Sequence, residues 1–304
     1  MKKLLTTLAL IICIATNTTA QQFAYKLSVK SPGNPAERYE LQATPSGELK
    51  ANITLPLKIT RQVSEEGSAQ QVKISIEATE TVYYNFEQRF ELNQIKHSDC
   101  QFYMPGFWYR HNLRSPREAP SFHTSDSWQV REDRLSTPMT GIFNEKTGDY
   151  YTVLRLDDFK DECLTTHQAG EVILSGKTSL GFTGFRNINE HTALVFGFPY
   201  NEAPNTYLRK LTLAPAVQAF EKLEKGEKRE LNWIINKGNA TDFSTFVAQV
   251  WNYSFDTMKP QQVNTLFTDA KAKEILSNFF VESYVDKYDL KYYSGVHMRT
   301  DDCE

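Results

Sequence analysis

The densest chemistry in this 304-residue chain lies between Tyr103 and Pro138. That stretch sets Trp108, Tyr109 and Trp128 among Arg110, Arg114, Arg117, Arg131 and Arg134, with His111, His123 and the carboxylates Asp126, Glu132 and Asp133. Aromatic faces stack on the C–H faces of sugar rings, while guanidinium forks and carboxylates satisfy hydroxyls or acidic groups. These residue types therefore suit an oligosaccharide or polysaccharide, with the aromatic rings as platform. Two other readings stay open. An irregular loop with Pro105, Pro116 and Pro120 needs internal hydrogen bonds, which arginines paired to Asp126, Glu132 and Asp133 supply without any ligand. A long sandwich loop also serves to cover a neighbouring domain. His111 and His123 have the chemistry of a general acid or base, but no partner stands at a motif spacing, so each reads as a hydrogen-bonded loop residue.

Elsewhere the chemistry is thinner. There is no phosphate loop, no H-E-x-x-H, no G-x-S-x-G and no paired Cys/His spacing, so no cofactor or metal is expected. Asp157, Asp158, Asp161 and Glu162 carry oxygen ligands for calcium but lack a calcium-loop spacing, and read as a solvated turn. Asp301, Asp302 and Glu304 read as exposed charge. Beyond Cys13 the cysteines are Cys100, Cys163 and Cys303. This odd set allows one disulfide, Cys100 with Cys163, and otherwise gives buried thiols, the favoured reading.

The elements that must position these residues change character near Asn239. Before it, Val72, Ile74, Ile76 and Ala78 alternate with Lys73, Ser75 and Glu77, as in a half-solvated strand. Similar runs cover Val82–Leu92, Tyr150–Leu156, Thr192–Tyr200 and Arg229–Ile235. Thr140–Phe143 and Tyr150–Leu156 flank the turn Asn144–Asp149, which predicts a hairpin. Ala214–Lys225, closed by Gly226, reads as one helix on the sandwich, and Lys228–Asn236 as the last strand. A linker, Lys237–Asp242, then offers Thr241 or Asp242 as N-cap. Phe243, Phe246, Val247, Val250, Trp251, Phe255 and Met258 recur at helical spacing up to Pro260. A second helix is expected from Thr268 to about Tyr284, its apolar side built by Ala272, Ile275, Leu276, Phe279 and Val281. The fold class is mainly β: a large antiparallel sandwich over 21–238, followed by a helical segment over 239–304 that opens an incomplete α domain and is the least stable part.

The N-terminus predicts export. Lys2 and Lys3, the apolar run Leu4–Ala15 and Thr18-Thr19-Ala20 make a signal peptide over 1–20, with cleavage before Gln21 into the periplasm or beyond. Ile12 before Cys13 argues against a lipoprotein anchor. No other segment reaches the roughly 20 apolar residues of a membrane span. Cleavage takes the basic count from 34 to 32 against 37 acids, so the net charge moves from −3 to about −5 and argues against nucleic acid as partner.

The exported start, the sandwich, the closing passage Leu223-Glu-Lys-Gly-Glu-Lys-Arg-Glu-Leu-Asn-Trp-Ile234, and the helix carrying Trp251, Tyr253, Phe255 and Pro260 resemble the front of secreted six-hairpin glycosidases from glycan-degrading Gram-negative bacteria. The resemblance implies a mutarotase-like supersandwich joined to an (α/α)6 toroid that holds most catalytic groups. No catalytic residue of that family maps onto a position here, and the chain ends after two helices, so it is expected to be catalytically incomplete and to want a C-terminal helical domain. A free-standing glycan-binding module is the alternative. A mutarotase-like epimerase is a third, with His111 or His123 as base and Asp126 or Glu132 as carboxylate.

Overall fold

The computed structural model describes residues 22–158, 169–209, 212–260, 266–282, 284–287 and 290–293. The expected signal peptide, Asp161, Glu162, Cys163 and the acids after Arg299 lie outside the described residues. Two compact units divide the chain, the first running to Met258 and the second starting at Lys259.

The first unit is mainly β. Its strands are β1 (Gln22–Lys30), β2 (Glu37–Ala43), β3 (Glu48–Lys50), β4 (Leu57–Glu66), β5 (Ala69–Ala78), β6 (Val82–Lys96), β7 (Cys100–Met104), β8 (Trp108–Arg110) and β9 (Trp128–Arg131). They continue as β10 (Met139–Asn144), β11 (Asp149–Arg155), β12 (Gly170–Ile173), β13 (Phe182–Ile188), β14 (His191–Phe198), β15 (Asn201–Arg209), β16 (Thr212–Leu223) and β17 (Lys228–Asn239). One antiparallel layer runs β2-β3-β4-β5-β17-β11-β10-β7-β8. In the other, β6 pairs with β1, β14 and β16, and the succession β6-β14-β13-β9-β15-β16 closes on β6 as a six-strand ring. Parallel pairing occurs where β12 joins β16.

Period-two alternation builds the core. Val72, Ile74 and Ile76 of β5 and Trp233 and Ile235 of β17 face Tyr84, Phe86 and Phe90 of β6 and Leu194 and Phe196 of β14 in one cluster. Cross-layer ring contacts, such as Phe196 to Trp233 at 5.4 Å and Phe102 to Phe185 at 4.0 Å, tie the layers together. The expected hairpin forms, with Phe143 opposite Tyr150.

Ala214–Lys225 is not a helix but strand as far as Leu223, with Lys225 in the turn that follows. Its Ala, Gln, Glu and Lys residues suit a helix locally, but β16 pairs with β15, β6 and β12, and Val217, Ala219, Glu221 and Leu223 all point to buried positions. Tertiary pairing overrides the local preference. The expected linker also shrinks, because β17 runs to Asn239, paired with Asp149 of β11.

Asp242 caps α1 (Phe243–Met258), its Oδ1 accepting the Thr245 N–H at 2.9 Å. Phe243, Phe246 and Val250 pack with Tyr103, Phe143, Tyr150 and Leu154 on the outer face of β7, β10 and β11, so this helix belongs to the sandwich body. A Cβ on Gly141 would lie 2.7 Å from the Phe246 ring, which explains the glycine beneath the helix. In the second unit α2 (Asp269–Glu282) leaves Ile275, Leu276 and Phe279 exposed. It stops short of Tyr284, which opens β18 (Tyr284–Lys287), paired with β19 (Leu290–Tyr293). No helix of the described residues is long and apolar enough to cross a membrane.

Candidate functional site

The Tyr103–Pro138 stretch folds around its own rings. Trp108 and Trp128 are 0% and 1% exposed, with centroids 5.9 Å apart, and Trp108 packs against Phe122 and Phe185. Their indole N–H groups donate to the carbonyls of Arg110 (2.8 Å) and Ser125 (3.1 Å). The expectation of a two-tryptophan stacking platform is therefore corrected: a loop this long needs a core of its own, and these rings are that core. Tyr109 keeps an exposed face, 50% open, while its hydroxyl accepts the Gly106 N–H.

The histidines are fixed by backbone. His111 Nε2 donates to the Cys100 carbonyl at 2.8 Å and stacks on Phe122 at 4.2 Å, and His123 Nε2 donates to the Leu113 carbonyl at 3.1 Å. Neither meets Asp126 or Glu132, the carboxylates a mutarotase-like reading requires. Their neighbour His97 is buried, bonds to the Asp126 carbonyl at 2.8 Å, and has its pKa lowered chiefly by burial. Cys100 is a free buried thiol, its pKa pushed up to about 12 by desolvation.

The charged residues are largely spent on structure. Arg131 pairs with Asp133 at 2.5 Å, and Arg134 forks onto the buried Glu202. Glu132 is fully buried, accepting from Arg155 Nη1 at 2.6 Å and from the Gly181 N–H at 2.8 Å. Burial pushes its carboxyl up despite the arginine. Arg155 also bonds Asp157 at 3.1 Å, and Asp157 accepts from the Asn232 backbone and side chain, so this acid braces β17. Among the described residues no group of three His, Cys, Asp or Glu is placed to hold a metal ion. Arg110 lies over the Phe243 ring of α1 at 4.8 Å, while Arg114 is exposed.

Trp128 does border one candidate site, and Asp126 braces its wall from behind through Ser127 and Asn187. A cavity of about 140 Å³ is lined by Ser125, Ser127, Gln129 and Arg186 on its polar side, and by Trp128, Phe185, Ala203 and Pro204 on the other. Its walls are preorganised. Arg186 donates to both oxygens of Glu87 (2.8 and 3.1 Å) and to Gln129 Oε1 (2.7 Å). Ser127 Oγ donates to Asp126 Oδ1 and accepts the Asn187 N–H, while the Asn187 amide donates to Asp126 Oδ2 at 2.7 Å. The bidentate pair offsets the Arg186 charge, leaving planar donors and acceptors in a near-neutral setting beside an apolar wall.

Sequence reasoning missed Glu87, Gln129 and Arg186. The alternation of β6 was visible, but its odd face, Asn85 and Glu87, looked solvated. Closure of the ring buries that face instead.

No protein-family model matches the sequence, and no curated protein matches it. Similar solved structures include a polysaccharide lyase, 10% identical over 72% of this chain and 26% of the lyase, with a TM-score of 0.36. A putative kojibiose phosphorylase from the human microbiome is 8% identical over 85% of this chain and 28% of its own, with a TM-score of 0.30. A galactose mutarotase related enzyme from Lactobacillus acidophilus is 13% identical over 67% of this chain and 72% of its own, with a TM-score of 0.34. The chain spans only about a quarter of the lyase and of the phosphorylase.

Proposed function

We propose that this chain is the supersandwich portion of an exported carbohydrate-active protein, of the six-hairpin glycosidase type, and that the sandwich recognises a glycan rather than cutting it. The Arg186 cavity carries the reading: fixed, planar, charge-compensated polar groups stand beside an apolar wall of Phe185, Trp128, Ala203 and Pro204, a lining that suits a neutral polyol. Its lining holds no histidine and no carboxylate, so it has no general acid or base of its own. At about 140 Å³ it is smaller than the roughly 300 Å³ at which enclosed small-molecule sites begin, which suits an open groove gripping one sugar of a longer chain.

A glycan array read with the wild type, Gln129→Ala and the charge-balanced double variant Arg186→Ala with Glu87→Gln provides the test. Loss of the arginine donors should weaken binding roughly tenfold or more, the worth of a charged hydrogen bond. Binding to no glycan, or binding indifferent to both variants, would reject the reading.

A second, compatible role is to brace a helical body. On α1 the stripe beside the docked face leaves Trp251 41% and Phe255 58% exposed, one helical turn apart, as a helix does when its second apolar side has another partner.

A further inference from the structure

A second cavity, larger than the Arg186 cavity and sharing no lining residue with it, lies at the end of the sandwich beneath the β4–β5 hairpin. It measures about 180 Å³. Phe90 of β6, Tyr151 of β11 and Ile235 of β17 form an apolar floor where the two layers part. Glu65, Gln70 and Lys237 supply a polar rim.

This rim is held in place. The Lys237 N–H donates to the Ser68 carbonyl, Ser68 Oγ donates to Asn236 Oδ1, and Gln70 Nε2 donates to Glu65 Oε1 at 3.3 Å. The Lys237 ammonium stands 5.7 Å from the centre of the Tyr151 ring. Gln70 Oε1 is buried and has no protein partner, and Lys237 makes no ion pair among the described residues. A lone acceptor and an ammonium lying over the Tyr151 ring thus flank an aromatic floor. A ligand that fits must present both donors and acceptors along one edge and a flat apolar face below.

We infer that this hairpin cleft is a second saccharide site, sized for a single pyranose unit. A pyranose sets its C–H face against Phe90 and Ile235, gives a hydroxyl proton to Gln70 Oε1 and accepts from Lys237 Nζ, which stays over the Tyr151 ring. The inference takes its ligand class from the glycan-recognition reading, and its location from the cleft itself. Two weak sites on one rigid body would let a branched or long glycan bind through both, raising avidity without a new contact.

The test is a backbone-amide NMR titration of the mature chain with the methyl pyranosides of glucose, galactose and mannose, repeated with Gln70→Ala and Lys237→Ala. One of these glycosides should shift the amides of Ser68, Gln70 and Lys237, and each variant should weaken that response roughly three- to tenfold, as loss of one hydrogen bond predicts. No shift at the hairpin at tens of millimolar glycoside, or an unchanged affinity in both variants, overturns the inference. Shifts at Gln129 and Arg186 report the other cavity, so loss of either response leaves the other to be read.

Discussion

Replacing Arg155 with methionine should be among the most damaging single changes in the sandwich. The substitution keeps an unbranched apolar stem but deletes the guanidinium that reaches Glu132 at 2.6 Å, the Ser179 carbonyl at 2.9 Å and Asp157 at 3.1 Å, and that lies 5.1 Å from the Phe198 ring centre. Glu132 would keep only the Gly181 N–H, with its carboxylate sealed from water. Breaking a buried pair by removing one partner costs roughly 3–5 kcal/mol, because the orphaned charge stays desolvated. Neutralising it with Glu132→Gln in the same chain should restore about 2 kcal/mol. The pH dependence follows with a definite sign. Burial already raises the Glu132 pKa, and loss of the arginine raises it further. The folded variant then binds more protons than the unfolded chain between the ordinary carboxylate range and that raised pKa, so stability falls as pH rises through the window. Urea unfolding at neutral pH and near pH 5 measures both effects. A cost under about 1 kcal/mol, or one equal at the two pH values, would show that Arg155 is not neutralising a buried carboxylate.

Other expectations follow from single side chains. Gln88 is buried on the core face of β6, between its cross-strand partners Tyr25 and Phe196, and neither atom of its amide has a protein partner. Gln88→Leu should stabilise the fold by about 1–3 kcal/mol, read as a higher urea midpoint, since it removes unsatisfied groups at nearly constant volume. Gly141→Ala should loosen α1, because the new methyl meets Phe246 at 2.7 Å; the expected cost is about 1–3 kcal/mol, with faster proteolysis after Asn239. Mass spectrometry of exported protein should find Gln21 at the N-terminus, and an acylated Cys13 would refute that cleavage.

Legibility in the sequence followed the reach of each signal. Alternation in β5, the β10–β11 hairpin and the Asp242 cap of α1 depend on neighbours within a few residues, and these were readable. The β16 segment was not, because its strand state comes from partners as distant as Tyr84 and Val172. The loop posed the reverse problem. Its residue types were read correctly as chemically rich, yet Trp108, Trp128, His111 and Glu132 are consumed in satisfying the loop and its backbone. Density of reactive types measures how much an irregular segment must satisfy, and only geometry says what is left over for a ligand.

What is left over gathers around β6. Its even positions, Tyr84, Phe86 and Phe90, build the core between the layers, while its odd positions, Asn85 and Glu87, turn into the ring. Glu87 fixes the Arg186 fork, and Phe90 floors the hairpin cleft, so both candidate sites draw on the strand that also carries three strand pairings. A site built on such a strand is rigid because moving it would unpack the core, and rigidity is what lets weak planar hydrogen bonds discriminate hydroxyl positions. The same coupling separates the two roles by side: Glu87→Gln leaves the even face intact, so it should loosen Arg186 and lower glycan affinity at unchanged m-value, whereas a change at Phe86 would reach recognition only through the fold.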